Sequence, residues 1–192
     1  MSQLLTLDQQ LLLLINGAHT AWLDMVMWYI SKTFVWIPLY AVLLYAVIKQ
    51  MGWKQTLVVV VMTALVITLA DQVSSGIIKP LVARPRPTHD EGLADKLHLV
   101  NGYRGGMYGF VSSHAANCMA CALLFMLLLK RHWVNITMST YVVLNCYSRM
   151  YLAVHYPLDI LGGLVVGTAA ALLGYWLTTL IARSSSLSKR NV

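Results

Sequence analysis

Long apolar stretches separated by short polar ones dominate the chain. A helix that crosses a bilayer needs about 20 mainly apolar residues. Stretches of that kind run over 33–48, extended by 28–31, and over 55–78, 113–129, 133–151 and 158–181. The run 57–69 holds no charge. Trp28, Trp36, Trp53, Trp133 and Trp176 stand near the ends of these stretches, where interfacial tryptophans collect. The pattern predicts an all-α polytopic transmembrane helical bundle of about five spans. Residues 4–15 are apolar but too few to cross, and they carry Asp8, Gln9 and Gln10. They predict an amphipathic helix lying on the membrane surface, with a short helix after Thr20. Taken together as one frayed segment, the same region would be a sixth span.

Composition supports this picture. Of 192 residues, 58% are hydrophobic and 11% charged, against ~25% charged in an average soluble domain. Mean hydropathy is +0.66. A soluble globular enzyme and a disordered chain are both excluded. The length suits one membrane-embedded domain over 1–183, followed by a disordered tail over 184–192 with three serines, Lys189 and Arg190. The net charge of +7 raises nucleic acid as a partner. The basic residues stand singly or in pairs between apolar runs, without a basic stripe and interleaved aromatics, so nucleic acid is set aside. The first 31 residues lack Lys and Arg, so the basic region of a secretory signal is missing. Cys118, Cys121 and Cys146 lie in apolar stretches. The CxxC spacing of the first two has no second pair and reads as packing, not a redox or zinc site.

Orientation follows from the basic residues. One side of a five-span bundle carries Lys49, Lys54, Lys130, Arg131, Arg183, Lys189 and Arg190; the other carries Lys32, Lys79, Arg84, Arg86, Lys96, Arg104 and Arg149. The raw counts tie. Four of the second group (Lys79, Arg84, Arg86 and Arg149) belong to clusters suited to binding an anion. Without them the positive-inside rule puts the tail in the cytoplasm and the loop 80–112 outside.

Charged groups at span ends are costly and point to function. Here they form three clusters on one membrane face. In the first, Lys79, Arg84 and Arg86 lie within eight residues, and Pro80, Pro85 and Pro87 end the span and hold the segment extended. It reads either as a headgroup anchor or as a clamp on a lipid phosphate, bidentate through Arg. In the second, Ser112 and Ser113 fit the N-cap region of the third span, where free N–H groups favour an anion, and His114 follows in the first turn. An ordinary cap with an interfacial histidine is the other reading. In the third, Arg149 is followed by His155 and, one helical turn on, Asp159. Such an Asp can hold one imidazole nitrogen protonated and leave the other free to attack. Two histidines, one carboxylate, several cations and a helix N-terminus are what phosphoryl transfer needs.

The order and spacing of these residues resemble the type 2 phosphatidic acid phosphatase (PAP2) superfamily. Lys79 with six residues before Arg86-Pro87 matches K-x6-R-P, and Ser148-Arg149, His155 and Asp159 match S-R-x5-H-x3-D. The middle motif, P-S-G-H, is matched by Ser112 and His114, with Val111 in place of Pro and Ser113 in place of Gly. The resemblance implies a helical membrane bundle, commonly of six spans, of which this chain is expected to lack the first. It implies His155 as the nucleophile that forms a phosphohistidine, Asp159 as its orienting partner, and His114 as the acid for the leaving oxygen and then the base for water. Lys79, Arg86, Arg149 and Ser112, with the backbone N–H of Ser113, would bind phosphate; Ser113 could crowd the phosphate or donate its hydroxyl. Arg84 falls outside the fixed motif and would support the site. No cofactor or metal is implied.

Other residues are weighed against this site. Asp71 sits about two turns before Lys79 and reads either as a partner for a site cation or as a hydrogen-bonding residue of the bundle. His89, Asp90, Glu91, Asp95 and His98 are spaced too irregularly for a metal site and read as a solvated loop. Arg104 lies in a flexible turn at the site entrance and could touch a headgroup. Gly163 and Gly167 have the spacing of close helix packing. The expected enzyme is a metal-independent phosphatase of lipid phosphates or diphosphates in the bacterial inner membrane, its site facing outward. That site and the small size point to undecaprenyl diphosphate; phosphatidylglycerophosphate, phosphatidate and lipid A 1-phosphate fit the same residues. An intramembrane serine protease using Ser112 or Ser113 would leave three cations unexplained. An anionic-lipid transporter or binding protein would use the cations without turnover.

Overall fold

The computed structural model describes residues 2–188. Helices α1 (Ser2–Gly17) and α2 (Ala21–Ile30) meet at a bend of 114°. A 3-10 turn (Thr33–Trp36) leads into α3 (Ile37–Met51), and Gly52, at φ 78°, turns the chain into α4 (Trp53–Asp71). A π-helical turn (Gln72–Ile78) carries α4 into the short α5 (Lys79–Val82). Pro80 accounts for the widened turn, because it has no N–H to give Gly76 and its ring crowds that carbonyl. A long loop then leads to α6 (Ser113–Leu129), α7 (His132–Tyr151) and α8 (Pro157–Ser188). The tail expected over 184–192 falls at the end of α8 and beyond it: Lys189–Val192 lie outside the described residues.

The protein is an all-α membrane bundle, and each predicted span contains a helix. Among the described residues, three segments are long and apolar enough to cross a bilayer: Thr33–Met51, Trp53–Val82 and Pro157–Ala182. The α1–α2 pair meets the same measure only as a bent unit, which makes three to four such segments where about five were expected. α6 is apolar but has 17 residues, and α7 falls short in hydropathy. The reason is their position. α6 packs against α8, α7 and α4. Ala115, Ala116, Ala120 and Leu124 on α6, and Tyr141, Asn145 and Ser148 on α7, are buried against protein. A helix enclosed by others need not be apolar all round. The outward faces of α3, α4 and α8 carry the belt that lipid requires, with Tyr45, Val61, Leu65 and Val165 exposed.

α1 turns its polar stripe inward. Asp8, Leu12 and Asn16, four residues apart, are at most 2% exposed, whereas Leu4, Leu7, Leu11 and Leu14 are 48–71% exposed. A helix beside lipid gains nothing by hiding leucine, and its carboxylate needs a partner inside. Asn16 is tied to the backbone of His98 and Tyr151 at 2.8–2.9 Å.

Glycine sets the spacing of the central pair. A Cβ on Gly163 would overlap the Ser112 carbonyl, and one on Gly167 the Ala116 carbonyl. These residues therefore let α8 meet the backbone of α6 within one chain. Gly163→Val forces the helices apart at the residue that caps α6. Overpacking of this kind costs about 1–3 kcal/mol, so the melting midpoint in detergent should fall by roughly 5–10 °C. Gly17→Ala, where a Cβ meets nothing within 4 Å, should leave it unchanged.

Candidate active site

The three polar clusters meet at one end of the bundle. After α5, Ala83 adopts φ 49° and ends the helix. Pro85 and Pro87 force the residues before them into extended backbone, and Arg86 sits at φ −68°, ψ 157°. Residues two apart on an extended segment share a face, so Arg84 and Arg86 point the same way. The segment is pinned to the loop by Arg86 N–H donating to the Met107 carbonyl (2.9 Å) and Gly109 N–H to the Arg84 carbonyl (2.8 Å). Arg86 Nε donates to the Tyr108 carbonyl (3.1 Å), while its Nη1 is buried and has no partner among the described residues.

Ser112 is the N-cap of α6, its Oγ accepting from Ala115 N–H at 3.3 Å. Its own N–H donates to the Asp159 carbonyl (2.9 Å), which ties the start of α6 to the start of α8. With its hydroxyl capping the helix, Ser112 is poorly placed as a protease nucleophile. Ser113 Oγ accepts from Lys79 Nζ at 2.9 Å. The side chain that departs from the family pattern therefore holds the first motif's lysine. His114 Nε2 lies 3.2 Å from Asn145 Oδ1, and the Asn145 amide N–H donates to the Tyr141 carbonyl (2.8 Å). That bond aims the amide oxygen at the histidine, so Nε2 carries the proton and Nδ1 is the free nitrogen. A cavity of about 180 Å³ between α3, α4, α6 and α7 abuts this histidine and is lined in part by Thr33, Tyr40, Asn117 and Tyr141.

The buried turn between α7 and α8 carries His155, 1% exposed. Its Nδ1 stands 3.5 Å from Asp159 Oδ2, ion-pair range but short of hydrogen-bond geometry. Such contacts are often long before a substrate is bound. Asp159 Oδ2 accepts from Tyr156 N–H (3.0 Å) and Oδ1 from Arg84 Nη1 (3.0 Å). Burial, then the charges of Arg86, Arg149, Lys79 and His114, hold the His155 imidazole well below its usual pKa. It is neutral and nucleophilic at physiological pH. Arg149 donates to Ser31 Oγ and to Tyr103 Oη (3.3 Å), leaving Nε buried and unpartnered. Among the described residues, Lys79, Arg86 and Arg149 form no ion pair with any carboxylate.

Arg84 differs from the other cations. It forks between Asp159 and Asp8 of α1 (2.6 Å) and lies over the Tyr156 ring at 4.0 Å. Asp71 accepts from Asn117 (3.2 Å). Arg104 is exposed, and its carbonyl is held by Thr88. Among the loop acids and histidines, Asp90 accepts from Tyr156 Oη (2.9 Å), and His98 pairs with Asp24 (2.7 Å). The three cysteines are free and buried. Asp8, Ser31, Tyr103 and Asn145 were missed by sequence reasoning. For Asp8 the signal was a carboxylate in register with Leu12 and Asn16, the positions α1 turns inward.

The model of the PAP2 superfamily matches residues 55–182. A lipid A 4'-phosphatase of Bacteroides thetaiotaomicron is 40% identical over 172 residues, covering 89% of this chain and 76% of that protein. An undecaprenyl-diphosphatase of Sulfolobus acidocaldarius is 29% identical over 162 residues, covering 83% of this chain and 72% of its own. The fold is that of the PAP2-type phosphatidylglycerolphosphate phosphatase of Bacillus subtilis, with a TM-score of 0.67 at 20% identity, covering 96% of this chain and 88% of the other. The chain belongs to the PAP2 superfamily as an integral-membrane phosphatase.

Proposed function

We propose that this phosphatase hydrolyses the phosphate of a membrane lipid through a phosphohistidine on His155. The observation that carries the reading is a buried, neutral histidine beside a carboxylate, faced by three cations that no carboxylate neutralises. Buried charges left without partners are costly, and a phosphate supplies the partner. With Nδ1 directed at Asp159, Nε2 attacks phosphorus and the bond to the lipid oxygen breaks. His114, having taken up the proton of the phosphate monoanion at its free Nδ1, passes it to that oxygen. It then takes a proton from the water that attacks the phosphohistidine, releasing orthophosphate and neutral His155. Lys79, Arg86 and Arg149 hold the equatorial oxygens, where charge accumulates.

A lipid A phosphate is the substrate best supported, by the 40% identity and wide coverage of the Bacteroides relative. The undecaprenyl diphosphate expected from the sequence has support at 29% identity and stands second. The distribution of Lys and Arg supports a site on the outer face of the inner membrane. The test is phosphate release by full-length protein in detergent with EDTA, on lipid A, undecaprenyl diphosphate, phosphatidylglycerophosphate and phosphatidate. Fastest release from lipid A supports the reading. Fastest release from undecaprenyl diphosphate reverses the order, and no release by folded protein defeats both.

Ser113 belongs to this reading as the residue that steadies Lys79. Lys79 keeps two further donors for phosphate while bonded to Ser113. Ser113→Gly loosens the lysine by one charge-assisted hydrogen bond, about 1.5 kcal/mol net at the low end for such bonds. Michaelis kinetics should show KM raised roughly tenfold, with kcat little changed.

A further inference from the structure

We infer that Asp8 of α1 is a positioning residue for the His155–Asp159 pair, acting through Arg84. It lies outside the segment 55–182 that the family model covers. It is 2% exposed on a helix whose Leu4, Leu7, Leu11 and Leu14 face outward. Asp8 Oδ2 accepts from Arg84 Nη2 at 2.6 Å, and Arg84 Nη1 donates to Asp159 Oδ1 at 3.0 Å. Asp8 Oδ1 accepts from Leu158 N–H at 2.8 Å.

These bonds converge on the first turn of α8. Pro157 opens the helix, where a missing N–H costs nothing. Asp159 reaches back to the Tyr156 N–H as the acidic half of a capping box. Leu158 N–H is an orphan of the same turn, and Asp8 satisfies it from another helix. Both carboxylates thus sit at the positive end of α8, with one guanidinium forked between them.

The fork divides the charge of Arg84. While Asp8 takes one side, Asp159 keeps enough negative charge to accept from His155 Nδ1–H. When Asp8 is neutral, Arg84 turns its whole charge on Asp159, which then accepts less well and polarises His155 less. Among the described residues, the hydrogen bonds of Asp8 go to Arg84 and Leu158, not to Lys79, Arg86, Arg149 or Ser113. The consequence is a slower attack on phosphorus with phosphate binding preserved. The inference rests on the phosphohistidine reading above for its catalytic consequence.

The test uses the full chain in detergent. Asp8→Asn keeps the shape and the bond from Leu158 and removes the charge. On whichever of the four lipids the wild type hydrolyses fastest, kcat should fall about 10- to 100-fold, as when a group that orients a reacting ligand is lost, with KM within twofold. Asp8→Glu should recover part of the rate. Arg84→Lys keeps the charge but cannot fork, and should lose as much as Asp8→Asn. In an Arg84→Gln background Asp8→Asn should cost nothing further, since neighbours that act as a unit are not additive. Orthovanadate, which binds as a transition-state mimic on the nucleophile, should weaken at least tenfold in Asp8→Asn while inorganic phosphate binds as before. Unchanged kcat and vanadate affinity, or additive losses in the two backgrounds, would overturn the inference. Absent turnover in the wild type defeats the phosphatase reading instead, and the vanadate comparison still judges Asp8. If Asp8→Asn does not fold, full activity of Arg84→Lys overturns it.

Discussion

His155→Ala should abolish phosphate release, by about 10⁴-fold or more, while the protein still binds its lipid. The residue is the nucleophile, so no neighbour substitutes for it. Its removal leaves Lys79, Arg86 and Arg149 in place. Phosphate affinity should therefore stay within a few-fold, or rise, because a neutral alanine relieves crowding in the site. The covalent intermediate gives the sharper readout. Wild type quenched in alkaline SDS should carry label from a ³²P-lipid that is stable in base, lost in acid and released by hydroxylamine, and His155→Ala should carry none. Label on the variant would move the nucleophile to another residue. The wild-type pH profile follows from the same site. Burial and neighbouring cations hold the imidazole well below its ordinary pKa. The nucleophilic form is thus present throughout neutral pH, and loss of kcat/KM from protonating His155 should set in only well below pH 6.5.

How far the sequence reveals this arrangement depends on what each residue answers to. The spans were legible because a lipid-facing helix must be apolar on its outer side; α3, α4 and α8 obey. α6 and α7 were legible as helices, yet their hydropathy understates them, since their environment is other helices. Lys79, Arg86, His114, Arg149, His155 and Asp159 could be singled out because fixed spacing on helices and extended segments fixes direction. Ser31, Tyr103 and Asn145 could not, and for Asp8 the register with Leu12 and Asn16 marks an inward position without naming its partner. They contribute through contacts with residues far away in sequence, such as Arg84 with Asp8 across 76 positions and Arg149 with Ser31 across 118. No local pattern encodes such a pairing. Ser113 was legible as a departure from the family motif, but its bond to Lys79 depends on how the π-helical turn sets the lysine.

Arg149 offers a test that separates charge from geometry at the phosphate. Its guanidinium is held by Ser31 and Tyr103, which fixes its plane, while its Nε faces inward without a partner. A fixed donor aimed at developing charge contributes about 2.7–4 kcal/mol to a transition state. Arg149→Ala should therefore lower kcat roughly 10²- to 10³-fold. Arg149→Lys should lose most of the same rate, because an ammonium cannot reproduce the planar fork. The two variants part in their pH profiles. Arg149 is one of the cations that depress the His155 pKa. Removing its charge relieves that depression, so more of His155 is protonated at a given pH. The acid limb of kcat/KM in Arg149→Ala should move to higher pH than in wild type. In Arg149→Lys the charge remains, and the limb should stay where wild type has it. A variant that was merely misfolded would lose rate at every pH and leave the limb in place. A limb that moves in the alanine variant and not in the lysine variant would tie the arginine to the imidazole through charge, and to the phosphate through geometry.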